Sequence, residues 1–176
     1  MKRALWYRNR FEVLKHAASV APGEGLILEF GVATGSTIRL LAQALFPRPI
    51  YGFDSFEGLP ASWADYDRGH FACDPPIVPS NVELVVGMFA DTVPGFLAQH
   101  AGDVALLHLD ADLYSSTRLI LHELDARIVP GTVIALDEYW IVQDEERRAF
   151  DEWSRDRDRG YMLEARAYEQ ALMVMT

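Results

Sequence analysis

"GLILEFGVATGSTIRLLAQALF", residues 25–46, decides how the rest of the chain is read. Residues 25–31 are a short, continuous apolar run closed by glycine, as expected of a strand buried on both faces. Gly31 and Gly35 then bracket a turn, and residues 36–46 place Ile38, Leu41, Ala42 and Leu45 at helical spacing. Strand, glycine turn and helix in that order let backbone N–H groups approach an anionic or zwitterionic ligand closely. The spacing is Gly-x-x-x-Gly, so it is not the Gly-x-Gly-x-x-Gly dinucleotide fingerprint. A plain tight turn between strand and helix would read the same way.

Working outward, "PIYGFD" (49–54), "VELVVG" (82–87), "VALLHLD" (104–110) and "GTVIALDE" (131–138) read as further strands. A helix is expected over residues 4–19, carrying Leu5, Trp6, Val13, Leu14 and Ala17 on one side, within an N-terminal helical region 1–24. Another follows the fourth strand, with Ile120, Leu121, Leu124 and Ile128 on one stripe and Ser115 or Ser116 as its cap. Residues 144–159 begin acidic, end basic and stop at Gly160, the charge order that complements a helix dipole. "YMLEARAY" and "ALMVMT" look like a final antiparallel pair. The alternation predicts an α/β fold: a Rossmann-like, doubly wound, mostly parallel sheet with an antiparallel C-terminal strand and helices on both faces. One domain, 1–176, is expected. Residues 55–81, rich in Pro, Asp, Gly and aromatics, lack helical periodicity. A loop this long after the C-terminal end of a strand is expected to be functional, a lid over a site.

Composition narrows the function. The net charge of −10 disfavours contact with polyphosphate backbones, so no nucleic acid is expected. No apolar run approaches the ~18 residues of a membrane span, and the basic N-terminus lacks a signal peptide's apolar core. Cys73 is the only cysteine, so no internal disulfide can form and a cytoplasmic setting is the default expectation.

Three further stretches carry candidate chemistry. Asp54 ends the second strand roughly 20 residues after the glycine turn, where a carboxylate can bond both hydroxyls of a ribose. As a strand-end group outside the core, it is expected to be dispensable for folding. Gly87 ends the third strand, with Met88 and Phe89 on the loop beyond it; they suit the face of an adenine, or plain core packing. Asp110 closes the fourth strand and Asp137-Glu138 the fifth, so three carboxylates should meet at one edge. Together they would repel and raise one another's pKa. Neither motif contains Lys or Arg, Arg118 being the nearest, and a hard divalent cation such as Mg²⁺ resolves the conflict. Asp112 either supports that ion or caps the next helix. His108 shares a face with Asp110 and reads as a packed, hydrogen-bonded histidine. Tyr139 and Trp140 read equally as a pocket wall or as packing.

In order, "LEFGVATGST", "YGFDSFEGLP", "VELVVGMFADTVP" and "HLDADLYSST…PGTVIALDEYW" resemble the class I S-adenosylmethionine-dependent methyltransferases. More narrowly the chain is similar to the macrocin O-methyltransferase family, metal-dependent sugar O-methyltransferases of antibiotic pathways, from about residue 25 onward. The run from Gly87 to Pro94 is also similar to the adenine-contacting segment of catechol O-methyltransferases. The resemblance implies that Glu29, Gly31, Gly35 and Ser36 hold the methionine end of S-adenosylmethionine. It further implies Asp54 on the ribose, Ser55 and Phe56 beside the nucleoside, and Gly87 and Phe89 at the adenine. Asp110, Asp137 and Glu138 would bind Mg²⁺, with Asp110 also the candidate catalytic base toward a hydroxyl of a small-molecule acceptor. Alternatives are a phenol or catechol acceptor, a nucleotide-sugar glycosyltransferase using Asp110-x-Asp112, and a cofactor-binding module without activity. Association of identical chains is left open. The chain departs from the family in its short N-terminal region and in the loop that replaces a helix between the second and third strands.

Overall fold

A computed structural model describes residues 3–176, and eight strands form one sheet among them. In chain order the elements are β1 (Leu5–Trp6), α1 (Arg10–Val20), β2 (Leu26–Phe30), α2 (Ser36–Ala44), β3 (Ile50–Asp54) and β4 (Val82–Val86). Then follow α3 (Phe89–Gln99), β5 (Val104–Leu109), α4 (Tyr114–Leu124), β6 (Val133–Leu136), α5 (Glu145–Asp156), β7 (Tyr161–Arg166) and β8 (Ala171–Met175). The strands lie in the order β1-β7-β8-β6-β5-β2-β3-β4. Every neighbouring pair is parallel except the two made by β8, as the alternation and the final hairpin predict. The chain winds from β2 toward β4 and then returns to start again at β5. Strand order therefore reverses between β2 and β5, where open α/β sheets form their ligand crevice.

Side-chain parity on the central strands positions the site. Leu28, Phe30, Leu107 and Leu109 pack toward α3, α4 and α5, against Phe96, Ile120, Leu121, Phe150 and Trp153. Ile27, Leu106, Val133 and Ala135 face the other way, against Val13, Leu14 and Ala17 of α1 and Ile38, Leu41 and Ala42 of α2. Each large side chain enclosed in this way contributes about 1.5–3 kcal/mol, so slipping a strand by one residue is prohibitive. Asp110 follows Leu109 and Asp137 follows Leu136, so the alternation turns both toward the α1/α2 layer. Glu138 falls on the opposite side, toward α5.

Four local expectations are corrected. Leu5 and Trp6 form an edge strand parallel to β7 instead of the first turn of a helix. The helix begins at Arg10, where the Asn9 side chain accepts from the Glu12 N–H and the Glu12 carboxylate accepts from the Arg8 N–H. Neither Ser115 nor Ser116 caps α4, because the helix starts one residue earlier, at Tyr114, whose N–H donates to Glu145. Phe89 is the first residue of α3 and not part of a loop. α5 ends at Asp156, and Asp158 at φ +52°, not Gly160, takes the left-handed position. Residues 55–81 contain no helix or strand, as expected. They are tied by Leu59 N–H to His70 O, Gly69 N–H to Leu59 O and Cys73 N–H to Phe56 O. Among the described residues no helix is long and apolar enough to cross a membrane.

Candidate active site

The C-terminal ends of β2, β3, β5 and β6 open into one cavity of about 400 Å³. Its first half is built by the glycine turn. Gly31 has φ +89°, and a Cβ there would lie 1.8 Å from the Asp110 carbonyl oxygen, so only glycine lets β2 run this close to β5. The turn after it is held by Asp54. One carboxylate oxygen, Oδ2, accepts from the Val32 and Ala33 N–H groups at 2.8 Å each, and Oδ1 accepts from the Phe56 N–H at 2.8 Å. Asp54 lines the cavity with Gly31, Ala33, Ser55, Met88 and Phe89. Its three bonds organise the backbone on both sides of it, so its removal is expected to disturb the local fold.

The other residues assigned to the cofactor by resemblance do not reach the cavity wall. Glu29 is fully buried, and its carboxylate accepts from Thr37 Oγ1 at 2.9 Å and contacts His108 Nδ1 at 3.0 Å. Gly35 is covered by Pro76 and Arg39, Ser36 faces solvent, and Phe56 is buried among the α2-side apolar residues. Gly87, at φ +141°, shapes the chain just before Met88 and Phe89 without lining the cavity itself. Phe89 stands edge-on to Phe30, with ring centroids 5.3 Å apart.

The acidic half follows from the parity described above. Arg10, the first residue of α1, reaches over the sheet edge, its Nη1 donating to Asp137 Oδ2 at 3.0 Å and Asp110 Oδ2 at 3.3 Å. One ligand-capable atom from each of His108, Asp110 and Asp137 lies within 4.8 Å of the others. Glu138 belongs to the same cavity but not to that trio. Its carboxyl group and that of Asp112 lie near enough to perturb one another. Behind them Glu146 is fully buried and accepts from the Ala111 and Glu138 N–H groups at 3.0 Å each.

So many carboxyl groups leave a clear electrostatic signature. Burial and then neighbouring carboxylates push Glu138 up to about 10 and Glu146 up to about 8, the latter against two backbone hydrogen bonds that favour its charged form. Burial likewise lifts Asp112 to about 6, and burial and Asp137 hold Asp110 well above the usual carboxylate range. Burial pulls the His108 imidazole down, but the hydrogen bond and charge of Glu29 outweigh it and raise the ring to about 9. Asp137 Oδ1, Glu138 Oε2 and His108 Nε2 are buried without a hydrogen-bond partner. Buried, unpartnered oxygens on neighbouring carboxylates are a donor set suited to a hard divalent cation.

Residues 28–139, more than half of the chain, match the family model described as a methyltransferase domain. The chain belongs to this methyltransferase family. A curated relative from Streptomyces olivaceus, "8-demethyl-8-(2,3-dimethoxy-alpha-L-rhamnosyl)-tetracenomycin-C 4'-O-methyltransferase", is 31% identical over 162 residues, taking in 76% of this chain. The chain spans 61% of that relative's length. Among solved structures, the O-methyltransferase NovP matches with a TM-score of 0.70 at 21% identity, over 95% of this chain and 79% of that one. The apo structure of CalS11, named as a TDP-rhamnose 3'-O-methyltransferase of calicheamicin biosynthesis, matches with a TM-score of 0.68 at 25% identity. It covers 93% of this chain and 77% of that one. Membership in the methyltransferase family sets aside the glycosyltransferase alternative.

Sequence reasoning missed two residues that shape this acidic cluster. Arg10 supplies the cation that the acidic motifs themselves lack, from 100 positions before Asp110. Its only local signal was Asn9-x-x-Glu12, the capping pattern that starts the helix there. Glu146 was read as a complement to the dipole of α5, whereas its side chain clamps the ends of β5 and β6.

Proposed function

We propose that the protein is an S-adenosylmethionine-dependent O-methyltransferase acting on a hydroxyl of a small sugar or sugar-bearing natural product, with a divalent cation such as Mg²⁺. The carrying observation is that the glycine turn, Asp54 and Phe89 share one cavity with Asp110, Asp137 and Glu138. A cofactor half and an acceptor half therefore open onto the same space. The sugar assignment draws on the names of the two relatives that act on rhamnose or rhamnosyl groups.

S-adenosylmethionine supplies an electrophilic methyl group when bound. The turn from Gly31 to Ala33 and the Asp54 carboxylate would hold its polar parts, Asp54 retaining acceptor capacity beyond its three backbone bonds. Met88 and Phe89 offer an apolar wall for its base. Asp110, Asp137 and Glu138 would hold the ion, which would supply Lewis-acid polarisation of an acceptor oxygen. Asp110 lies nearest the glycine turn and would receive the acceptor's proton at a carboxylate oxygen. Trp63, Tyr66 and Phe71 of the 55–81 loop line the cavity mouth, with Trp63 and Tyr66 stacked at 6.0 Å. They close the acceptor side and exclude water, and positioning on these walls supplies much of the rate.

Calorimetry with S-adenosylmethionine and S-adenosylhomocysteine tests the cofactor half. Release of S-adenosylhomocysteine from a panel of glycosylated and phenolic acceptors, with Mg²⁺ and with EDTA, tests the rest. Turnover of sugar hydroxyls that stops in EDTA and returns with Mg²⁺ is expected. Undiminished turnover in EDTA refutes the metal, and binding without turnover of any acceptor returns the chain to an inactive cofactor-binding module.

A further inference from the structure

Arg10 occupies an unusual place. It is the first residue of α1, where the positive end of the helix dipole disfavours a cation. Glu12 is the acidic residue of that first turn, and its carboxylate accepts from the Arg8 N–H. The Arg10 guanidinium lies across the two carboxylates at the ends of β5 and β6, one Nη1 making a charge-assisted contact to each. Burial works against the Arg10 charge, and Asp137 and Asp110 more than offset it.

The backbone on either side is anchored. Tyr7 N–H donates to Arg166 O at 2.9 Å, and Val13 N–H donates to Asn9 O at 3.3 Å, below a side-chain cap from Asn9 to the Glu12 N–H. Arg10 can therefore leave the carboxylates only by swinging its long side chain, about one third of which is exposed. The helix itself stays in place.

Resting on the metal reading proposed above, we infer that Arg10 is a built-in counter-cation of Asp110 and Asp137 that trades places with the divalent ion. The geometry makes the two exclusive. The same Nη1 sits 3.0 and 3.3 Å from the Oδ2 atoms of both carboxylates. An ion bound to those two oxygens at ~2.0–2.1 Å falls within the volume of that nitrogen, beside a second positive charge. Without the ion, Arg10 keeps the carboxylates apart from bare mutual repulsion. When the ion binds, the guanidinium is released into the cavity. A competing arrangement is available: Asp137 Oδ1 has no partner, so an ion held through it would leave Arg10 undisturbed. The two arrangements differ in what removal of Arg10 does to ion affinity.

The test is a Mn²⁺ titration, followed by calorimetry and by loss of the free-ion paramagnetic signal, on the native protein, Arg10→Met and Arg10→Lys. Thermal unfolding of each protein is measured in EDTA and in excess Mn²⁺. Arg10→Met is expected to bind Mn²⁺ at least about tenfold more tightly than the native protein, because the ion no longer displaces a charge-assisted pair. It is also expected to unfold at lower temperature in EDTA and to regain that loss in Mn²⁺. Arg10→Lys, a cation without the fork, should fall between the two, and it carries the comparison if Arg10→Met does not fold in EDTA. Equal or weaker affinity in both variants overturns the exchange while leaving the metal reading standing. A native protein that binds no ion beside a variant that does makes Arg10 a permanent cation and overturns both the exchange and the metal reading. Absence of binding in all three proteins overturns both.

Discussion

Replacing Asp54 with alanine separates two roles that its position combines. The carboxylate accepts three backbone hydrogen bonds at 2.8 Å, from Val32, Ala33 and Phe56. A hydrogen bond to a charged group contributes ~1.5–3 kcal/mol, and an orphaned donor carries a desolvation cost of its own. Asp54 is half-buried, so water replaces part of what is lost. The expected destabilisation of Asp54→Ala is therefore about 2–4 kcal/mol, below the sum of three full bonds. For a chain of this length that lowers Tm by roughly 5–15 °C. Asp54→Asn keeps one acceptor oxygen, which can serve the Val32–Ala33 pair or Phe56 but not both, and should lose about half as much. Thermal unfolding followed by circular dichroism reads the stability, and calorimetry with S-adenosylhomocysteine reads the site. Loss of binding is expected in step with the loss of stability. Asp54→Ala unfolding at the native temperature while binding disappears would refute the reasoning. Asp54 would then be a ligand contact only, and the glycine turn would hold its shape unaided.

Gly31→Ala should cost roughly 3 kcal/mol or more, since a Cβ at φ +89° meets the Asp110 carbonyl; urea denaturation with a near-native midpoint would contradict the close β2–β5 contact. Glu146→Ala leaves the Ala111 and Glu138 N–H groups buried without an acceptor and should destabilise by about 2–5 kcal/mol, Glu146→Gln by less, measured in the same way. In EDTA, Asp112, Glu146, Glu138 and His108 hold protons in the fold up to about 6, 8, 10 and 9, which the unfolded chain releases sooner. Stability of the ion-free protein should therefore fall as pH rises from about 5 toward 9, and a Tm that climbs across that range would contradict the buried carboxyl cluster. Hydrogen exchange over residues 60–80 should slow when S-adenosylhomocysteine and Mg²⁺ are both present, and equal protection in their absence would make the loop static.

The central strands were legible because burial on both faces leaves little but apolar residues. "LILEF" and "VALLHL" are enclosed along their whole length, and their order with the glycine turn is enough to imply a parallel sheet. What escaped had non-local causes. Leu5 and Trp6 extend an apolar pattern that suits a helix, yet their backbone is claimed by β7, a strand 160 positions on in register, Leu5 opposite Ala165. α3 contains Pro94 and Gly95, which weaken any helical reading of residues 89–99. Burial of Val93 and Phe96 against the sheet overrides that preference.

The site was legible as a list of carboxylates but not as an arrangement. Adjacency in sequence suggested that Asp137 and Glu138 act as one pair, while the alternation that continues from β6 sends them to opposite sides. Asp137 thereby meets Asp110 and Arg10, and Glu138 meets Asp112 in front of Glu146. An ion that used all three of Asp110, Asp137 and Glu138 would have to sit at the very edge of the sheet, between its two faces. The free Oδ1 of Asp137 and free Oε2 of Glu138 are open to it there. The Oδ2 atoms of Asp110 and Asp137 both accept from Arg10 Nη1. An ion that also takes up those two oxygens needs the Arg10 side chain to give way, whereas one held only through the free oxygens does not.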